Sequence, residues 1–433
     1  MFALLLVCIP NRAAAGNDDG VLLGNEAAMT GGAVTAVVND GSAAWYNPAG
    51  IAAVQRDTLD LSGSATMLRI ADTPALLQSS RGLRASGGYY ELLGIPSAVT
   101  MVRRLESNLA LGLGIFVPQL TSHTDRVSLE EPSADSIARF QLTQQESNQE
   151  YYGSVSLGIS LASNLRLGFA LFGTYRQFAL TTQFFGGSER MGESIAAFGV
   201  AGLTSIQSVS LELGVGLQWE LAPGWNIGIS ARSPGLLLGS LFRSTNTSFA
   251  SSSHGLEFIP TDDGGLEPRA DIVAPARFRF GLARRFAEGW IGVDTDFQHE
   301  LSRPEIGIER RWTGGVRIGG RYEVNPQISI GAGLFTDLDA TRHIVGLGET
   351  RLDFFGGTLG LELRNPHLLA GSESASDIVF VNTFALRYAA GTGLIGGLRF
   401  DTTHSERVGT VEVIPVATTV HEISLHLGSA LHF

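Results

Sequence analysis

Long runs of strict alternation between apolar and small or polar residues constrain this chain more than any other feature. Successive side chains of a β-strand point to opposite faces, so a period of two marks a strand with one apolar face. Val209, Leu211, Leu213, Val215, Leu217 and Trp219 share one face, opposite Ser208, Ser210, Glu212, Gly214, Gly216 and Gln218. The same pattern runs through Val155 to Leu161, Leu165 to Leu171 and Ala276 to Leu282, and again from Ile423 to Phe433. No helical period competes with it after residue 55.

Alternation also suits a soluble sandwich, but three further features favour a membrane barrel. The runs last ten residues or more, whereas soluble strands average about five or six and spanning strands need about nine to eleven. Connections alternate between short and long. Leu105 to Asn108, Leu161 to Asn164, Ala222 to Trp225, Ala287 to Gly289 and Val324 to Pro326 are short, and 119–150, 178–205 and 234–272 are long and polar. Outer-membrane barrels have this asymmetry of periplasmic turns and outer loops. Finally, Trp219, Trp225, Phe286, Trp290 and Tyr322 cluster at the short-turn ends, where a periplasmic aromatic girdle belongs.

Strands are expected near 57–70, 95–104, 107–118, 151–162, 164–177, 206–220, 224–233, 274–286, 289–300, 310–322, 326–336, 351–363, 378–402 and 411–433. That gives an all-β, antiparallel transmembrane β-barrel of about fourteen strands over residues 55–433, the even number usual for single-chain bacterial barrels. Keeping 378–402 as one strand puts Ser405-Glu406-Arg407 near its outer hairpin.

Composition excludes other classes. Of 433 residues, 44% are hydrophobic and only 17% charged, against about 25% in soluble domains. The formal net charge is −12 and every one of the 30 basic residues is Arg. A polycationic nucleic-acid binder needs a surplus of positive charge, and a disordered chain needs low apolar content. One Cys forbids a disulfide scaffold. No run of about 18 uncharged apolar residues predicts a spanning helix.

Phe2 to Ile9 is an apolar run, and Ala13-Ala14-Ala15 is a small-residue cleavage site. Residues 1–15 therefore read as a secretory signal peptide that lacks the usual positive n-region. Its removal would take away Cys8 and leave a cysteine-free chain.

Residues 16–54 are Gly/Ala-rich and too irregular for a spanning strand, which suggests a plug inside the lumen. Asp40-Gly41-Ser42-Ala43-Ala44-Trp45-Tyr46-Asn47-Pro48-Ala49-Gly50 resembles the hatch motif of outer-membrane transporters of the FadL and TodX type. Further similarity lies in Arg232-Ser233-Pro234, in Ala274 to Gly281 and in Trp290 to Phe297, so the likeness spans the mature chain. The resemblance implies a fourteen-stranded barrel plugged by an N-terminal hatch. It implies passive transport of long-chain fatty acids or aromatic hydrocarbons, captured at outer loops, held at an internal apolar site near the mature N-terminus and released sideways through a kink in the third strand. Asn47, Pro48 and Ala49 match the hatch core, and Val21, Leu22 and Leu23 fall where ligand would be touched. Gly112 and Gly114 in the third strand either permit the kink or relieve packing.

A fatty acid carboxylate would want Arg, which grips it bidentately. Arg277, Arg279 and Arg317, with Arg166 and Arg321, face the lumen on the alternation, where they either meet cargo or pair with Glu212, Asp294, Asp296 and Glu362. The apolar groups Phe178, Leu180, Phe184 and Phe185, and Leu236, Leu237, Leu238, Leu241 and Phe242, either capture ligand, cap the barrel or sit in the outer leaflet. No catalytic residue, metal ligand set or cofactor is expected. The competing readings are a general porin, whose lumen would be water-filled, and an outer-membrane lipid hydrolase. The expected partners are a hydrophobic small molecule, outer-membrane lipid and lipopolysaccharide, and the outer-membrane assembly machinery reading Phe433, with no nucleic acid and a monomeric state.

Overall fold

The computed structural model describes residues 21–133, 136–190, 193–252, 255–261, 272–303, 308–344, 346–365, 378–400 and 411–433. The expected signal peptide, the first residues of the expected hatch segment and the Ser405-Glu406-Arg407 hairpin lie outside them.

The alternating runs form strands throughout. In chain order these are β1 (Thr58–Ser79), β2 (Arg84–Glu106), β3 (Leu109–Pro132), β4 (Ser136–Ala162), β5 (Leu165–Arg190), β6 (Glu193–Ala222), β7 (Trp225–Arg232), β8 (Gly235–Ser252), β9 (Gly255–Thr261) and β10 (Ile272–Ala274). They continue with β11 (Arg277–Phe286), β12 (Gly289–Gln298), β13 (Leu301–Arg303), β14 (Ile308–Arg310), β15 (Thr313–Asn325), β16 (Ile328–Asp337), β17 (Thr350–Asn365), β18 (Val379–Phe400) and β19 (Val411–His432). Among the described residues β13 and β14 form a separate two-stranded sheet, with a bridge from Arg310 of β14 to Thr341; the other strands form one sheet.

That sheet closes when β1 pairs antiparallel with both β2 and β19, the latter from Thr58↔His432 to Asp72↔Thr419. β7 and β8 continue one another across Ser233-Pro234, both pairing with β6, and β10 and β11 continue across Pro275-Ala276. Proline has no N–H to give a ladder, which is why both staves break there. Counting the two broken staves whole turns the 17-stranded sheet into a barrel of fifteen strands, and of fourteen when β9, which pairs with β8 as β10 does, is counted in the β10–β11 stave.

Its outward face is apolar and its inward face small or polar. Leu213, Ile291, Leu334 and Leu359 are all more than half exposed, as a lipid-facing belt requires, while Ser156, Thr358, Thr383 and Ser424 are buried inside. Trp219, Trp225, Phe286 and Tyr322 are exposed as a girdle should be. Trp290 is not part of it: Ile291 takes the outward position, so Trp290 turns inward and donates from Nε1 to Glu26 at 3.1 Å.

The largest correction concerns the long polar segments, which are mostly strand. β3 and β4 pair from Leu109↔Ile159 out to Pro132↔Ile137, and β5 and β6 from Leu165↔Trp219 out to Arg190↔Glu193. β6 runs for 30 residues, about three times what a bilayer needs. Thr, Gln and Ser at alternate positions had the look of loop, but the ladder satisfies their backbone and alternate residues still face inward. Val127, Leu129, Phe140, Leu142 and Phe184 meet Leu76, Leu77, Leu347, Leu398 and Phe400 in an apolar cluster at the outer end of the lumen.

The outer apolar residues therefore divide by face. Phe178, Phe184 and Leu237 are buried, whereas Phe185, Leu236, Leu238 and Leu241 are exposed.

Candidate functional site: the plugged lumen and its side seam

The segment from Val21 to Val54 lies inside the barrel, with every residue buried except Asn39, Asp40 and Ala52. Two short helices, α1 (Asn25–Met29) and α2 (Ala43–Tyr46), and a 3-10 turn at Pro48–Ala53 give it shape. Helices this short do not stand alone in water; side chains from around the barrel hold the segment. Gly41 N donates to Asp60 on β1 at 3.2 Å, and Thr35 N donates to Asp294 on β12 at 2.7 Å. Thr358 Oγ1 on β17 donates to Met29 O at 3.0 Å, and Asn25 Oδ1 meets His426 Nε2 on β19 at 3.2 Å.

Asn47 organises the motif core. Its Nδ2 donates to Thr35 O within the segment and to Leu217 O on β6, both at 2.9 Å. Its Oδ1 accepts from Ala49 N at 3.2 Å, capping the turn that Pro48 opens. Strand glycines let the segment approach so closely. A Cβ on Gly168 would stand 2.1 Å from the Pro48 carbonyl carbon, and one on Gly319 would stand 2.0 Å from Thr30 O.

Of the arginines singled out in the sequence, Arg279 and Arg321 bond to this segment, Arg321 through Glu26 at 3.8 Å. Arg279 Nη1 and Arg232 Nη2 both donate to Trp45 O, at 3.0 and 3.1 Å. Arg232, which the sequence reasoning passed over as a side chain, sits between the rings of Trp45 and Phe172, 4.1 and 4.2 Å from their centroids. Arg317 pairs with Asp296 at 3.5 Å and Arg321 with Glu362 at 2.6 Å. Arg277 and Arg279 line a cleft of about 20 Å³ beside Trp45 and Pro48.

A larger cavity of about 120 Å³ lies between the N-terminal segment and the outer apolar cluster. Val21 reaches it, together with Arg69, Tyr89, His123, Asn148 and Arg387. Leu22 borders a crevice of about 10 Å³ next to it. Leu23 is fully buried, its amide donating to Tyr46 Oη at 3.1 Å. An ion network crosses the wall here: Arg387 donates to Glu422 at 2.8 Å, and Arg69 bridges Glu422 and Glu91.

The wall beside this cavity is not fully hydrogen-bonded. β2 and β3 pair only from Ala98↔Phe116 to Glu106↔Leu109. Outward of that, β2 keeps its partner β1 and β3 keeps β4, but no ladder joins the two among the described residues. Two carboxylates bridge the seam instead. Glu91 accepts from Ser122 N, and Asp125 accepts from Gly88 N at 3.3 Å. The expected irregularity at Gly112 and Gly114 is displaced: register with β4 is unbroken through both and slips between Phe116 and Gln119, at Val117-Pro118. A Cβ on Gly112 would meet Ser156 and Ile51, and one on Gly114 would meet Phe116, so both glycines answer to packing. Pro118, inside an otherwise regular strand, was the readable signal.

No family model matches the chain, and no curated protein does. Solved structures match along nearly its whole length. A Pseudomonas aeruginosa FadL homologue aligns over 97% of this chain and 100% of its own, with a TM-score of 0.62 at 13% identity. The P. putida toluene transporter TodX aligns over 95% and 98%, with a TM-score of 0.56 at 13% identity. The CymD monoaromatic hydrocarbon channel covers 95% and 97%, with a TM-score of 0.55 at 14% identity. The chain has the FadL/TodX-type barrel fold, and the sequence likeness at the hatch motif falls on the segment that fills its lumen.

Proposed function

We propose that the protein is a bacterial outer-membrane channel for passive uptake of hydrophobic small molecules. The observation that carries this reading is a lumen filled by Val21 to Val54, next to an inner cavity whose flanking wall lacks a ladder between β2 and β3. A plugged lumen gives polar solutes no aqueous path, which disfavours the general porin. An apolar solute needs no such path. Burying each CH₂ is worth about 0.8 kcal/mol, so it can pass from the outer apolar cluster to the cavity and leave sideways into the bilayer. In this reading the N-terminal segment is the hatch, with Asn47, Pro48 and Ala49 as its core. Val21 and Leu22 touch cargo, and the seam is the lateral exit. The channel works as a monomer among lipid and lipopolysaccharide, without cofactor or catalysis.

Long-chain fatty acids, the cargo implied by the sequence resemblance, and monoaromatic compounds both belong to this class. The test is uptake by a bacterium lacking its own transporter, expressing this chain or Asn47→Ala at equal surface level. Entry of radiolabelled fatty acid or toluene, altered in the variant and with a polar sugar excluded, supports the channel. Free passage of the sugar through the unmodified protein overturns it in favour of a porin.

A further inference from the structure

We propose that the inner cavity selects a neutral molecule about one aromatic ring in size that carries a hydroxyl, of the benzylic alcohol or phenol class, over a carboxylate or a bare hydrocarbon. The proposal rests on the channel reading and narrows its cargo.

Size comes first. The cavity measures about 120 Å³, and an apolar protein cavity of about 150 Å³ holds benzene. At about four-fifths of that volume the cavity takes at most a single ring in close contact and cannot enclose a long alkyl chain. The wall suits a ring as well, since Tyr89 and His123 stack with centroids 3.9 Å apart and both line the cavity.

Charge comes second. The lining carries Arg69 and Arg387 against Asp125, Glu146, Asp337 and Glu422. Both arginines are already engaged, Arg69 between Glu422 and Glu91 and Arg387 on Glu422 at 2.8 Å. An entering carboxylate would meet four carboxyl groups against two guanidinium groups and would compete with Glu422 for both of them.

Hydrogen bonding comes third. Among the described residues lining the cavity, Gln119 Oε1, His123 Nδ1, Asn148 Oδ1 and Arg387 Nε have no hydrogen-bond partner. Asn148 is 1% exposed and Arg387 5%. Such buried groups ask for partners. The amide oxygens accept and the Arg387 Nε–H donates. A hydroxyl is the small neutral group that both donates and accepts. A carboxylate only accepts, and toluene does neither.

The experiment uses the full mature chain in lipid nanodiscs, with calorimetric titration of benzyl alcohol, toluene and benzoate against empty nanodiscs. Two hydrogen bonds at about 1 kcal/mol each predict benzyl alcohol binding at least tenfold tighter than toluene, with benzoate the weakest. Asn148→Leu should bring benzyl alcohol and toluene within about threefold while toluene affinity is held or improved, which also reports that the cavity survives. Benzoate binding as tightly as the alcohol, toluene equalling it, or no ring compound binding at all would each overturn the proposal. Uptake of the same compounds by cells separates the two readings. Hydrophobic uptake without the predicted order defeats the selectivity alone, whereas sugar entry without hydrophobic uptake defeats the channel.

Discussion

Ser122 donates its backbone N–H to the carboxylate of Glu91 across the seam where β2 and β3 have ceased to pair. A side chain here does the work of a ladder, and Asp125 repeats the device with Gly88 N at 3.3 Å. Two strands joined by side chains separate without breaking a sheet, because each keeps its other neighbour. Hydrogen bonds to charged groups are worth about 1.5–3 kcal/mol and neutral ones about 0.5–1.5. Glu91→Gln with Asp125→Asn should therefore open the seam more often, by about tenfold. Hydrogen exchange read by mass spectrometry should quicken at 84–97 and 117–130 and stay unchanged at 98–106. Equal change in all three segments would mean general loosening and would defeat the latch.

Asn47→Ala should undock the hatch. The substitution removes both Nδ2 hydrogen bonds, leaving Thr35 O only the 3.5 Å bond from Gln218 Nε2, and it leaves Ala49 N without its cap. Buried groups left unpaired cost about 1–3 kcal/mol each. Limited proteolysis of the folded barrel should then cut within 21–54 at least tenfold faster, with the barrel intact. Asn47→Asp keeps the cap oxygen but loses both donors, so it should fall close to the alanine variant. Protease resistance equal to the unmodified chain in either variant would show that Asn47 is not the anchor.

The alternation made the barrel legible because a lipid-facing residue at every second position is a physical demand on each strand, met by Leu213, Val215 and Leu217 alike. Strand ends were less legible. Past the bilayer nothing requires apolar residues outside, so Gln141, Thr143 and Gln145 of β4 look like loop, although their ladder with β5 continues. Asn47-Pro48-Ala49 stood out only through the resemblance, and the structure places them in the segment inside the barrel. The seam was not, because an absent ladder is a relation between two strands that neither Glu91 nor Ser122 announces. Arg277, Arg279 and Arg317 were visible as inward cations, but which inward group each meets depends on the docked segment.

Gly168→Ala should be far more damaging than Gly153→Ala. A Cβ at Gly168 meets the Pro48 backbone at 2.1 Å, whereas at Gly153 the nearest atom is Gly173 O at 3.9 Å. Backbone on both sides cannot yield as a flexible side chain would, and overpacking costs about 1–3 kcal/mol or more. We expect Gly168→Ala to assemble into the membrane with a protease-sensitive hatch, and Gly153→Ala to match the unmodified protein. Equal hatch protection in the two variants would contradict the close packing of Pro48 against β5.

Acid should tighten the hatch. Asp40 is half-buried, and the loss of water around it, reinforced by the neighbouring Asp60, pushes its carboxyl from the ordinary 3.8 up to about 6 against the opposing hydrogen bonds from Ser42. A carboxyl whose pKa rises on docking favours docking while it is protonated. That contribution is complete below about 3.8, falls as pH rises through about 6 and is absent above it. A nitroxide placed on the exposed neighbour as Asn39→Cys, with Cys8 replaced by Ser, reports on the segment directly. Its mobility should rise between pH 5 and pH 7, and Asp40→Asn, neutral throughout, should flatten the curve at the low-mobility level. A rise that persists in Asp40→Asn would assign the effect to another group, and a fall in mobility with rising pH would reverse the sign argued here.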